Sequence, residues 1–338
     1  MSTIDPSRLL QMRSSILNQN QALQRAAGRG GPAGPAAVAA DLGAYALFGG
    51  LDAQQEARGY AALREWNLAG LELPSVNLAP GWLTEHTDPA WDLLVTCIPA
   101  VMAALATDRT YGLASPNPEG RAAALADARR ALERAASVDE MAGRRRVSAV
   151  QIHSAPSLSA QAEPFARSLD EIASWGIDVP IAVEHCDAPR AGGAHVKGFL
   201  TLADELAVLA GRNVKLGINW GRSAIEGQSS EAAHEHVAAA AAAGLLAGVI
   251  FSGATDQSTA WGPAWGDMHI PPRGEDPALA ESAASLLDAA AISAALPFIP
   301  SGGYRGLKVS VRPLEASVEA RLAVGKAGLC LLESSLGV

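Results

Sequence analysis

Polar residues able to do chemistry stand at the ends of short apolar runs along most of this chain. Val-Glu184-His185, Ile-Asn219-Trp220 and Leu-Lys308-Val-Ser310 close three runs in the C-terminal half, while Gly-Leu-Glu72-Leu-Pro and Gln-Ile-His153 close two earlier ones. A carboxylate or an imidazole can take and return a proton, and a fixed ammonium can hold the oxyanion that forms when a proton leaves the carbon beside a carbonyl. Side chains sharing one end of several parallel strands converge on one mouth, so the pattern predicts an active site built on strand ends.

The elements that must place these groups are read from periodicity. Strands are predicted at 42–47, 70–74, 93–98, 147–153, 179–185, 214–220, 247–252 and 306–312. Longer Ala/Leu/Glu/Arg segments of helical period separate them, most clearly at 121–136, 165–175, 200–210 and 231–243. Gly244 ends the last of these, where a left-handed backbone suits glycine. Strand followed by helix, repeated eight times, closes most simply as an α/β fold of the (β/α)8 TIM-barrel type. A doubly wound open sheet is the rival, but only Gly49-Gly50 follows the first run and no dinucleotide fingerprint does. Residues 1–41 contain a Gly/Pro/Ala stretch that cannot pack, so they are predicted to be a flexible N-terminal lead, with the barrel spanning 42–338.

Alternation along each strand picks the residues that face the barrel interior. Ala182 shares a face with Glu184; Lys215 and Gly217 share one with Asn219; Lys308 shares one with Ser310 and Arg312. Gly70 with Glu72, Gly248 and Ile250 with Ser252, Ala149 and Gln151 with His153, and Gly43 with Tyr45 complete the set. His185 falls on the opposite face, which predicts a packing or supporting role.

Composition limits the partners. Hydrophobic types make up 49% of the chain and charged types only 18%, enough apolar material for one large core. The net charge of −9, without a basic stripe, argues against nucleic acid or an anionic membrane as partner. The one basic run, Arg144-Arg145-Arg146, is predicted to be solvated. Cys97, Cys186 and Cys330 are too scattered for a disulfide framework, which fits a reducing, cytoplasmic setting. The alanine run 238–243 stops at Gly244, well short of a membrane span. His234 and His236, two apart on a predicted helix, face different directions and are expected at the surface.

The order of strand endings, Glu72, His153, Glu184-His185 and Asn219-Trp220, resembles the xylose isomerase-like barrels that include sugar isomerases and epimerases. The phrases Gly-Ile-Asn219-Trp220-Gly-Arg222-Ser-Ala-Ile-Glu226-Gly, Trp265-Gly-Asp267-Met-His269-Ile-Pro and Gly-Leu-Lys308-Val-Ser310 are also similar to a bacterial subgroup of unassigned function. The resemblance implies a carbohydrate substrate. In metal-dependent members, Glu, Asp, His and Glu end the fifth to eighth strands and hold a divalent ion. Glu184 matches the first position, but Asn219 stands at the second, Ser252 near the third, and Lys308 or Ser310 near the fourth. A hard cation needs anionic oxygen or imidazole donors, and an ammonium beside it repels it. No metal and no other cofactor is therefore expected, with His153, His185, Asp256, Asp267 and His269 left as ligands for a rearranged site.

The chemistry is then assigned to Glu184, Lys308 and His153, and substrate binding to Tyr45, Glu72, Asn219, Trp220, Arg222, Ser252, Asp267 and His269. Trp220 would stack on a sugar ring, and Arg222 would grip an anionic group or tie its own loop through Glu226. The long aromatic loop with Trp261, Trp265, Asp267 and His269 would lid the pocket. Three readings of Lys308 stay open: a fixed charge that replaces the ion, a Schiff-base amine, or a structural salt bridge to Glu184. The expected function is isomerisation or epimerisation of a sugar or sugar acid without the usual metal. The alternatives are a non-catalytic carbohydrate-binding or regulatory barrel, and a Schiff-base lyase using Lys308. A small-molecule carbohydrate is the expected partner, and assembly as a homo-oligomer is left open.

Overall fold

A computed structural model describes residues 40–190 and 195–335. The expected lead lies outside these residues except for Ala40 and Asp41, which open the first strand. Eight strands follow: β1 Ala40–Leu42, β2 Leu68–Pro74, β3 Asp92–Thr96, β4 Val147–Ile152, β5 Ile181–His185, β6 Lys215–Asn219, β7 Leu246–Phe251 and β8 Tyr304–Leu307. Each pairs in parallel with the next and β8 pairs with β1, so the ring closes as a (β/α)8 barrel. The helices are α1 Ala44–Leu47, α2 Ala53–Leu63, α3 Pro80–His86, α4 Ile98–Thr107, α5 Pro118–Ala142, α6 Ala162–Ser174, α7 Leu202–Leu209, α8 Trp220–Gly227, α9 Ser230–Ala242, α10 Ala289–Ala295 and α11 Val318–Ser335. Gly244 follows α9 at φ +69°, the left-handed geometry expected there.

Parallel strands covered on both faces need apolar runs, which explains why they stand out in the sequence. The larger core fills the layer between strands and helices. A smaller one, Leu94, Ala149, Ala182 and Ile250, plugs the barrel interior with Tyr304 packed against it. Two glycines make room for that tyrosine: a Cβ at Gly217 would strike its hydroxyl, and one at Gly248 would strike its backbone carbonyl. Gln151 Nε2 donates to Tyr304 Oη at 3.2 Å, so the interior below the mouth is filled and tied.

Three sequence expectations change. The run 42–47 is not one strand: β1 ends at Leu42, Gly43 N donates to Leu307 O at 2.8 Å, and Ala44–Leu47 turns into the single helical turn α1. Tyr45 thus leaves from a helix. In β8 the pairing runs over Tyr304–Leu307 rather than 306–312, although Lys308 N still donates to Phe251 O at 2.9 Å. In the Arg144–Arg146 run, Arg144 and Arg145 are exposed as expected but Arg146 is buried. Arg146 is 9% exposed and donates to Trp91 O, Thr87 Oγ1 and Asp88 O, while Arg144 binds Asp92 and Arg145 binds Asp139 and Asp178. These guanidiniums tie the segment before β3 to the chain entering β4.

Candidate active site at the barrel mouth

Glu184 ends β5 one residue before the strand stops, and alternation turns it into the barrel. Asn219 ends β6 and also caps α8, its Oδ1 accepting Arg222 N at 3.3 Å. Because the helix begins without a loop, Arg222 is fixed over the strand end. Its Nη1 lies 2.8 Å from Glu184 Oε1, and Asn219 Nδ2 donates to the same oxygen at 3.3 Å. His153, just past β4, sets Nε2 2.8 Å from the other oxygen, Oε2. Ser252 Oγ donates to Asn219 Oδ1 at 2.9 Å and completes the chain of contacts.

A second pair stands beside this one. Lys308 Nζ donates to Glu72 Oε1 at 2.7 Å and lies 5.1 Å from the centre of the Tyr45 ring, a cation–π contact. Of the readings left open for Lys308, the salt bridge to Glu184 is not formed: Lys308 pairs with Glu72, and Glu184 with Arg222. The alternative tie between Arg222 and Glu226 is not formed either, since Glu226 bonds His185.

The loop after β7 closes over both pairs. Asp267 Oδ2 accepts Arg222 Nε at 3.1 Å and lies 3.2 Å from Lys197 Nζ, and Asp267 Oδ1 lies 3.3 Å from His269 Nδ1. Trp265 and His269 hold positive φ values of +60° and +53°, strained for non-glycine residues. Ser310 pins the loop: its N donates to His269 O at 2.7 Å, its Oγ to Met268 O at 2.6 Å, and its own carbonyl accepts Trp261 Nε1 at 3.2 Å. Under this cover Glu72, Glu184, Asn219, Arg222, Ser252 and Lys308 are all at most 1% exposed.

Electrostatics divide the two carboxyls. Burial pushes Glu184 up, but Arg222, Lys308 and His153 outweigh it and hold the carboxyl well below its usual range. For Glu72 burial wins over Lys308, and the carboxyl is raised. Burial alone would lower Lys308, yet Glu72, Tyr45 and Glu184 raise it, so the side chain is an ammonium. Burial lowers His153 despite Glu184, leaving a neutral imidazole. His269 is lowered to about 3, chiefly by burial, while Arg222, His269 and Lys197 overcome burial to keep Asp267 ionised.

Four buried polar atoms of this site have no hydrogen-bond partner: Glu72 Oε2, His153 Nδ1, Gln151 Oε1 and His269 Nδ1. Such atoms are uncommon in folded proteins and mark places where a ligand or water belongs. His153 also borders a cavity of about 40 Å³ with Cys97 and Tyr111, enough for water.

Of the residues singled out in the sequence, Glu184, His153, Asn219, Ser252, Arg222, Asp267 and His269 form one network, and Glu72, Lys308 and Tyr45 form its neighbour. Trp220 does not join them. It is 1% exposed and packs in the strand–helix core. Asp256 lies on an exposed stretch. Sequence reading missed Lys197, which sits in a segment without periodicity, and Cys186, whose Sγ lies 3.4 Å from Arg222 Nη1.

The donor set does not suit a divalent cation at the usual strand ends. Glu184 already holds a guanidinium, Asn219 presents its NH2 to Glu184 and its oxygen to two donors, and Lys308 brings a positive charge. His153, Glu184 and Cys186 do bring donor atoms within 4.8 Å of one another, but Arg222 contacts two of the three.

Among the described residues no helix is long and apolar enough to cross a membrane. The same barrel is found in D-psicose 3-epimerase from Clostridium cellulolyticum H10, with a TM-score of 0.52 and 16% identity over 89% of this chain and 97% of that one. It recurs in 3-keto-D-glucoside 4-epimerase from E. coli, with a TM-score of 0.51 and 14% identity over 87% and 98%. At such identities the likeness is one of fold. A relative in sequence, the uncharacterized protein STM3670 of Salmonella typhimurium, is 34% identical over 216 residues, 61% of this chain and 68% of that protein. Residues 42–324, nearly the whole barrel with every side chain of the mouth, match the domain of unknown function DUF4862, and the chain belongs to that family.

Proposed function

We propose that the barrel mouth moves a proton beside the carbonyl of a sugar or sugar acid, giving isomerisation or epimerisation, with Lys308 and Arg222 supplying the positive charge that a divalent ion supplies elsewhere. One observation carries this reading: two buried acid/base groups, Glu72 and His153, each keep a free polar atom while their other atom is fixed by a charged partner.

His153 is the better base of its pair. If Nε2–H donates to the ionised Glu184, Nδ1 carries the lone pair, so the carboxylate orients and the imidazole acts. Glu72, with its raised pKa and free Oε2, is the second acid/base group. The base takes a proton from the carbon beside the carbonyl; that C–H electron pair forms a carbon–carbon double bond and the carbonyl oxygen becomes an enolate oxyanion. Lys308 holds the charge in a site closed to water, where it counts for more than in solvent. The proton returns to the opposite face of the same carbon for epimerisation, or to the former carbonyl carbon for isomerisation. The epimerase activities of the two barrel neighbours named above support a substrate of this class. The ammonium state of Lys308 disfavours the Schiff-base alternative, since an amine must first lose its proton to attack.

The test is proton exchange in deuterated water. Full-length protein, treated with chelator, is incubated with a panel of ketohexoses and uronic acids while proton NMR follows the position beside the carbonyl. Deuterium uptake with at least one compound is expected, and its loss in His153→Asn and Glu72→Gln. A panel in which some compound shifts the melting temperature but none exchanges would favour the binding barrel instead.

A further inference from the structure

His185 follows Glu184 directly and turns to the outer side of β5, under α8 and α9. Its Nδ1 lies 2.7 Å from Glu205 Oε2, and Ser154 Oγ holds the other oxygen of Glu205 at 2.6 Å. Its Nε2 lies 3.1 Å from Glu226 Oε2. His236 comes in from α9, with Nε2 3.9 Å from Glu226 Oε1 and its ring 5.1 Å from that of His185, edge to face. The expectation that His234 and His236 lie at the surface is thus not met: both are half-buried, His234 against Phe298 and His236 against His185.

We propose that His185, Glu226 and His236 form a site for a divalent transition metal of the zinc class, separate from the barrel mouth, with Glu205 orienting His185 and water filling the remaining position. One donor atom from each of the three lies within 4.8 Å of the others, so an ion would draw them together to the roughly 3.4 Å separation of a tetrahedral shell. The pairing of Glu205 with the far nitrogen of His185 is the outer contact that metal-bound imidazoles usually make. Charge points the same way: two carboxylates and two imidazoles gather here, a set that a divalent ion bound by neutral imidazoles would balance. The strongest charges acting on each of these groups come from within the cluster, with no lysine or arginine among them. That separates it from the mouth, where Arg222 contacts two of the three candidate donors. The buried Nδ1 of His236 has no hydrogen-bond partner. Glu226 and His236 keep 17% and 16% of their side chains exposed, which leaves an entry path. The metal would clamp α8, which carries Arg222, and α9 to β5 beside Glu184.

The experiment is titration of chelator-stripped, full-length protein with Co(II), read by the visible d–d bands, followed by Zn(II) competition against a chromophoric chelator. One equivalent with an intense, tetrahedral spectrum is expected. Glu226→Gln and His236→Asn, checked for native circular dichroism, should weaken binding at least 100-fold, and Glu205→Gln about 10- to 100-fold, while Glu184→Gln leaves it unchanged. Absence of stoichiometric uptake by the wild type, or uptake that Glu184→Gln removes and His236→Asn does not, overturns the site.

Discussion

Lys308 Nζ lies 2.7 Å from Glu72 Oε1 with neither side chain reached by solvent, joining the end of β8 to β2 inside the barrel, past β1. A buried pair of this kind contributes little net stability against an apolar replacement, but losing one partner strands the other charge. Lys308→Met is therefore expected to destabilise the protein by about 3–5 kcal/mol in urea denaturation. Lys308→Met combined with Glu72→Met should recover most of that loss without recovering exchange activity. A double variant that is both stable and active would make the pair structural only.

The order within the Glu184–His153 pair fixes a pH signature. Burial lowers His153 below its ordinary value of 6.5, so the acid limb of kcat/KM should lie below pH 6.5. Glu184 is the group that raises His153. Glu184→Gln should move the limb further to acid while reducing kcat by up to about 10⁴-fold, the loss expected when a carboxylate that orients a catalytic imidazole is amidated. A limb that instead disappears would assign the titration to Glu184 itself.

Much of this mouth is legible in the sequence because strand alternation is local. Glu72, Glu184 and Asn219 are placed by the residues immediately before them, and the closed barrel follows from the repeated alternation of strand and helix. What is not legible are the partners. Whether Lys308 pairs with Glu184 or Glu72 depends on how side chains from β8, β2 and β5 meet in the barrel interior, and Asp267 finds Arg222 and Lys197 only through the path of a long loop. The first strand was obscured by a different cause: Ala44-Tyr45-Ala46-Leu47 is apolar throughout, and a short apolar run serves equally in a strand or a helical turn. Trp220 was misplaced because a helix starts at once after Asn219, which turns the indole away into the strand–helix core.

Asp267 holds the cover shut by accepting from Arg222 and Lys197 together. Asp267→Asn leaves the geometry but weakens both contacts. Amide hydrogen exchange across residues 255–270 should quicken, and KM should rise more than kcat falls, because Arg222 still has Glu184. Exchange unchanged from wild type would mean that Ser310, which bonds the loop at Met268 and His269, is sufficient by itself.

Asp41 supplies a test at the opposite end of the barrel. It pairs in register with Gly70 and Gly306, and lines a cavity with Asp92, Lys215, Tyr304 and Arg305. Burial, then Asp92 and Glu72, raise its carboxyl from 3.8 to about 7, with Arg305 opposing. A folded-state value above the unfolded one means that the folded protein binds the proton more tightly. That contribution is complete below pH 3.8 and is lost as pH rises through 7. Asp41→Asn keeps the shape without the ionisation, so its stability relative to wild type should rise between pH 4.5 and pH 8, by roughly 2–4 kcal/mol. Denaturation curves that stay parallel across this range would show that the carboxylate meets enough water or positive charge at the base of the barrel to ionise freely.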